Sequence, residues 1–174
     1  MNKNMRMFII CAFFVLISSC ENFTSSLSDQ GGLSGQASID TIKFSEFTVK
    51  IKSKDTNSGW TDLGTLVVRK EKDGVATGLN AGGHSATFFS LEELEVNNFV
   101  KAMIHGGSFR TSLYYGYKNE QSGEKGIQNK QIITMMLEID GSEYIIFSGD
   151  KIKDLGDKTA EYAISLEELK KNLK

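Results

Sequence analysis

Proline is absent from the 174 residues, and cysteine occurs only at Cys11 and Cys20. Without proline the chain cannot be collagen-like, a polyproline linker or a PxxP ligand. Without a cysteine after position 20, its body holds neither a disulfide framework nor a cysteine-based metal site. Charge of one sign is also missing: 20 Lys and Arg against 22 Asp and Glu leave −2. There is thus no global basic field of the kind nucleic-acid binders use, and no nucleic-acid partner is expected. The longest apolar run, Met7 to Ile17, is about half of the ~20 residues a membrane-spanning helix needs. What is present, 24% charged and 40% hydrophobic residues, suits one soluble globular domain.

The first twenty residues read as an address. Lys3 and Arg6 precede the apolar run, as in a secretory signal, and small residues follow it. Ile17-Ser18-Ser19-Cys20 resembles a bacterial lipobox, in which the cysteine becomes the first mature residue and carries the lipid. Cys11 follows the bulky Ile10 and is excluded from that role. The expectation is a signal peptide over 1–19, lipidation at Cys20 and attachment to a membrane through acyl chains, each methylene of which contributes ~0.8 kcal/mol. Loss of Lys3 and Arg6 with the signal would leave 18 basic against 22 acidic residues, a net charge of −4. Residues 20–38 are rich in Ser and Gly and lack apolar periodicity, so a disordered tether is expected. Such a coil holds a domain on the order of 20–25 Å from its anchor.

A β-rich domain is expected over 39–174. Phe47, Val49 and Ile51 alternate with Thr48, Lys50 and Lys52, the period of a half-buried strand. Further strands are expected around Trp60 to Val68, Val75 to Leu79 and Ala86 to Phe89, with Asp73-Gly74 as a tight hairpin turn. Phe109, Thr111, Leu113, Tyr115 and Tyr117 also alternate and read as one strand. Gln131–Ile139 and Glu143–Phe147 flank Asp140-Gly141, the clearest hairpin, and a short strand follows at Glu161–Ile164. The pentapeptide SLEEL occurs at 90–94 and 165–169, each time as a capping box in which the serine accepts from the third helical N–H. Duplication would explain the pair; convergent capping explains it as well and is favoured. Leu91, Leu94, Phe99 and Met103 suggest the buried face of the first helix, and Lys170, Lys171 and Lys174 suit the negative end of the second. Seven or eight short strands and two helices give the expected fold: α+β, mainly antiparallel β, a curved sheet or open barrel in a single domain.

Candidate chemistry is sparse. Gly78 to Ser85 fits a phosphate-loop frame, but His84 stands where the lysine belongs and strand-like residues follow instead of a helix. His84 and His105 are the only histidines and have no third ligand at a zinc-site spacing. Gly106-Gly107-Ser108-Phe109 lacks the second glycine of a nucleophile elbow. No catalysis, cofactor, metal or small-molecule substrate is expected. Loops on a rigid sheet concentrate binding residues. The charged turn and glycine-rich loop within 69–85 therefore supply candidate contacts: Arg69, Glu71, Asp73, Asn80, His84 and Ser85. Ordinary solvated turns remain the other reading of these six. Tyr114, in the run Leu113-Tyr114-Tyr115-Gly116-Tyr117, is kept as an interface anchor on an exposed strand face.

The strings MNKNMRMFIICAFFVLISSC (1–20), FTVKIKSKD (47–55), WTDLGTLVVRKEKDG (60–74), TGLNAGGHSATFFSLEE (77–93), SLYYGYK (112–118) and FSGDKIKDLGDKTAEYAISLEELKKNLK (147–174) carry a resemblance. The chain resembles the Erp surface lipoproteins of Lyme disease spirochetes over nearly its whole length apart from the tether. The resemblance implies an outer-membrane, surface-exposed lipoprotein that recruits the C-terminal domains of host complement factor H and so resists complement killing. It further implies factor H-related proteins as partners, with plasminogen, laminin or a glycosaminoglycan as the alternative adhesin reading. The factor H region it implies is basic, which a mature charge of −4 would attract.

Overall fold

The computed structural model describes residues 43–55, 59–120 and 125–173. The signal peptide, Cys20 and the tether over 20–38 lie outside them. Alternation in the sequence becomes alternation in burial wherever one strand face meets the core. In β1 (Glu46–Asp55), Phe47, Val49 and Ile51 are buried while Glu46, Thr48 and Lys50 are exposed. The chain continues through β2 (Gly59–Glu71), β3 (Gly74–Ala81) and β4 (His84–Glu92), then α1 (Glu93–His105), β5 (Gly107–Arg110) and β6 (Leu113–Tyr114). It ends with β7 (Ile127–Gln128), β8 (Gln131–Ile139), β9 (Ser142–Lys151), β10 (Thr159–Ser165) and α2 (Leu166–Asn172).

All ten strands form one antiparallel sheet in the order β5-β8-β9-β10-β1-β2-β3-β4-β6-β7. β5 stands at one end of that order and β6 next to last at the other, yet only Thr111 and Ser112 separate them in sequence. Three residue steps span at most ~10 Å, so the sheet must curl until its ends approach. The seam is tied by Thr111 N–H donating to the Lys130 carbonyl and Ser112 N–H donating to that of Ser90. Among the described residues no ladder joins β5 to β7, and the barrel stays open. The expected α+β fold is therefore present, with ten strands among the described residues, two of them only two residues long, instead of seven or eight.

The concave side holds the core. Leu66, Val68, Val75, Leu79, Phe88, Phe89, Ile132, Ile145 and Ile164 point into it, and α1 adds Val96, Phe99, Ala102 and Met103. Phe99 and Phe109 meet edge to face at 5.2 Å between centroids, and Phe88 meets Tyr162 at 5.1 Å. Leu166 and Leu169 of α2 complete the core.

Three local expectations are corrected. Leu91 belongs to β4 and Leu94 is 68% exposed, so neither lies on the buried face of a first helix. The 90–93 capping box is not used, because β4 runs on through Ser90 to Glu92, and the Ser90 and Ser112 hydroxyls bond at 2.8 Å. The Glu93 N–H donates instead to the Asp73 carbonyl of the β2–β3 turn at 3.0 Å. At the second copy the expected cap is present: the Ser165 hydroxyl accepts from the Glu168 N–H. Third, Phe109 to Tyr117 is not one strand, because the chain crosses the seam at Thr111-Ser112.

Candidate functional site

β3 organises the candidate contacts, because both segments that supply them are its hairpins. At one end the β2–β3 turn, through Lys72 and Asp73, brings Glu71 opposite Gly74. A Cβ on Gly74 would collide with the Leu91 carbonyl oxygen, so glycine is required there by the close approach of β4. Arg69 lies two residues before Glu71 and pairs with Glu46, Nε to Oε2 at 2.7 Å. That hydrogen bond first, and the charge of Glu46 next, hold the Arg69 guanidinium above its ordinary pKa. Glu92 faces Gly74 across the ladder and Glu93 follows it. Five carboxylates (Glu46, Glu71, Asp73, Glu92, Glu93) thus share this end with Arg69, Lys70 and Lys72, an excess of negative charge.

The other end is the β3–β4 hairpin. Gly82 and Gly83 occupy the two-residue turn with φ of 58° and 79°, the left-handed pair such a turn requires. A strand follows, not a helix, so the loop does not form the nest and helix N-terminus that hold a phosphate. His84 stands exposed just after the turn. The Ser85 hydroxyl donates to Asn80 Oδ1 at 2.5 Å, and Asn80 Nδ2 donates to the Thr65 hydroxyl at 3.4 Å. Among the described residues no three His, Cys, Asp or Glu side chains gather as a metal site would need.

The six residues are therefore two groups, not one. Arg69, Glu71 and Asp73 lie at one end of β3, and Asn80, His84 and Ser85 at the other, ~23 Å apart along seven strand steps. Between them the convex side of the sheet is built from small side chains. Rows Val67–Gly78–Thr87 and Thr65–Asn80–Ser85 run across β2, β3 and β4. This shelf has a signal in the sequence, the residues alternating with the buried Leu66, Val68, Thr77 and Leu79, which only the pairing of β2, β3 and β4 assembles into a surface.

Tyr114 is corrected. It is fully buried, so it presents no side chain to a partner. Its hydroxyl donates to Glu120, a carboxylate only 2% exposed that no sequence pattern singled out. Glu120 also accepts from the Tyr162 hydroxyl at 2.6 Å, from the Tyr117 N–H at 2.8 Å and from the Asp150 N–H. Four donors satisfy the buried charge and pin the segment after β6 to β9 and β10. Burial first, and the Glu120 charge second, push the Tyr114 and Tyr162 phenols far above the ordinary tyrosine value.

Residues 44–172 match the family described as Borrelia outer surface protein E. Among solved structures, the complement regulator acquiring outer surface protein BbCRASP-4 or ErpC from Borrelia burgdorferi is 71% identical. That match covers 76% of this chain and 100% of the other, with a TM-score of 0.73. Complement regulator-acquiring surface protein 3 (CRASP-3, ErpP) from Borrelia burgdorferi is 74% identical, over 76% of this chain and 99% of its own, also at 0.73. A solution structure of outer surface protein E is 69% identical over 88% of this chain and 100% of that one, at 0.72. No curated protein sequence matches the chain.

Proposed function

Because the chain belongs to the Borrelia outer surface protein E family, we propose that it is an outer-surface lipoprotein, anchored through Cys20, that captures host complement factor H. The captured regulator would protect the cell from complement. The observation that carries this reading is 71–74% identity to proteins named for acquiring complement regulators, across 99–100% of their lengths. The relatives carry the name of a binding activity and not of a reaction, in keeping with a non-enzymatic role.

The shelf of β2, β3 and β4 is the proposed contact surface. A standard interface buries ~800 Å² per partner, a footprint ~30 Å across. One partner domain can thus span both groups of residues at the ends of β3. The acidic end at Arg69, Glu71 and Asp73 favours a basic partner, and its charges raise the encounter rate in a salt-dependent way. Asn80, His84 and Ser85 supply hydrogen-bonding groups at the far end, where they fix register.

The test is a binding titration of lipid-free residues 21–174 against the last two domains of factor H at two salt concentrations. Saturable binding at micromolar or tighter affinity, weakened by salt, is expected. Absence of binding, with laminin, plasminogen or a glycosaminoglycan bound instead, would replace this reading by the adhesin one.

A further inference from the structure

Gly78, at the centre of the shelf, is a glycine the fold does not require. Every other described glycine has a reason: a positive φ between 58° and 157°, or, at Gly149, the Glu120 carboxylate that a Cβ would strike. Gly78 lies mid-strand in β3 without a left-handed φ, and a Cβ there would meet only the Ala86 carbonyl oxygen, at an ordinary 3.8 Å. The ladder shifts register beside it, but the extra residue, Phe88, belongs to β4. Glycine inside a strand weakens it and marks a place where a ligand or another chain approaches closely. The missing side chain leaves a recess on the outer face. Val67 and Thr87 face Gly78 across the two ladders, and Ala76 and Asn80 follow on the same side of β3. Strand geometry puts the backbones of Val67 and Thr87 about 10 Å apart and those of Ala76 and Asn80 about 13 Å apart. The floor is bare peptide, and Val67, Ala76 and Thr87 line it with methyl groups. At the rim Asn80 is fixed, its Oδ1 accepting from the Ser85 hydroxyl and its Nδ2 donating to Thr65. Arg69, opposite Ala76, is already held by Glu46.

We propose that this recess receives an aromatic side chain of the partner, laid on the Gly78 peptide. A planar ring buries a large area on a shallow floor with few side-chain torsions to fix, whereas a flexible aliphatic chain would gain less area for more entropy. A tyrosine O–H or tryptophan N–H meets acceptors at the rim in the Thr65 and Thr87 hydroxyls. The acidic end of β3 sets a second requirement, basic residues beside the ring. The proposal rests on the shelf being the contact surface and deepens that reading. It makes Gly78 the specificity-determining residue, because any side chain there takes the place of the ring.

Two readouts of opposite sign separate this role from a structural one. In lipid-free residues 21–174, Gly78→Ala and Gly78→Val should raise the melting temperature by roughly 2–4 °C, because a strand interior loses its glycine. The same changes should weaken binding to the last two domains of factor H, several-fold for alanine and at least tenfold for valine. N-acetyltryptophanamide at millimolar concentration should shift the backbone NMR resonances of Val67, Gly78 and Thr87, N-acetylleucinamide should not, and Gly78→Val should abolish the shifts. Wild-type affinity in Gly78→Val would overturn the proposal. So would a lowered melting temperature in Gly78→Ala, which would show that the fold itself requires glycine, and so would an equal response, or none, to the two amides. If the unaltered domain does not bind factor H, that reading fails and the tryptophan probe decides alone: shifts confined to the recess uphold the site, and their absence overturns it.

Discussion

Glu120 shows how one buried charge organises its surroundings. Its four donors include both phenols with raised pKa, and the sign of the resulting pH dependence is fixed. A group whose folded pKa lies above its unfolded value stabilises the fold fully below the unfolded value, ~10 for tyrosine. Above that, unfolded Tyr114 and Tyr162 lose protons that the folded phenols keep, so stability falls as pH rises. Urea midpoints should be insensitive to these two groups from pH 7 to 9. Above pH 10 the unfolding free energy should decline by up to about 2.7 kcal/mol per pH unit. Tyr114→Phe should halve that slope; an unchanged slope would assign the effect to other groups.

At the scale of the element, identical sequence has produced different structure. SLEEL at 165–169 opens a helix with a serine cap, whereas at 90–94 its serine sits in a strand. Ser90 is held by β3 through Ala76 and by β6 through Leu113, leaving its hydroxyl to Ser112. Ser165→Ala should cost about 0.5 kcal/mol, the low end for a cap because the bond is 3.4 Å long. It should also speed hydrogen exchange in the first turn of α2. Ser90→Ala should leave exchange in α1 unchanged and loosen the β4–β6 seam. Faster exchange at Glu93 in that variant would restore the capping role to Ser90.

For the whole molecule, the curled sheet turns the shelf of β2, β3 and β4 outward, with the core behind it on the concave side. The shelf predicts a distinctive mutational pattern. Arg69→Ala with Glu71→Ala, and Asn80→Ala with His84→Ala, should each weaken factor H binding several-fold, and the effects should add within ~0.5 kcal/mol because the groups are well over 10 Å apart. The first pair removes one charge of each sign and should leave the salt dependence nearly unchanged, whereas Glu71→Ala with Asp73→Ala should reduce it. Unchanged affinity in both variants would move the contact surface off the shelf.

The amino-acid sequence by itself determined most strands of period two, though not the break within Phe109–Tyr117, together with the Asp140-Gly141 and Gly82-Gly83 turns, the α2 cap and the family. All of these depend on neighbours a few residues apart or on long identical strings. Tertiary structure decided which of two alternating faces is concave, and hence that Tyr114 is buried while its neighbour Tyr115 is only partly so. It decided that Thr111-Ser112 crosses from one end of the sheet to the other, and that β3 holds the two contact groups ~23 Å apart. Ladder register and sheet curvature arise from contacts across dozens of residues, as between Glu120 and Tyr162. Local periodicity carries no information about such distances, so these features exist only once the sheet has closed on its core.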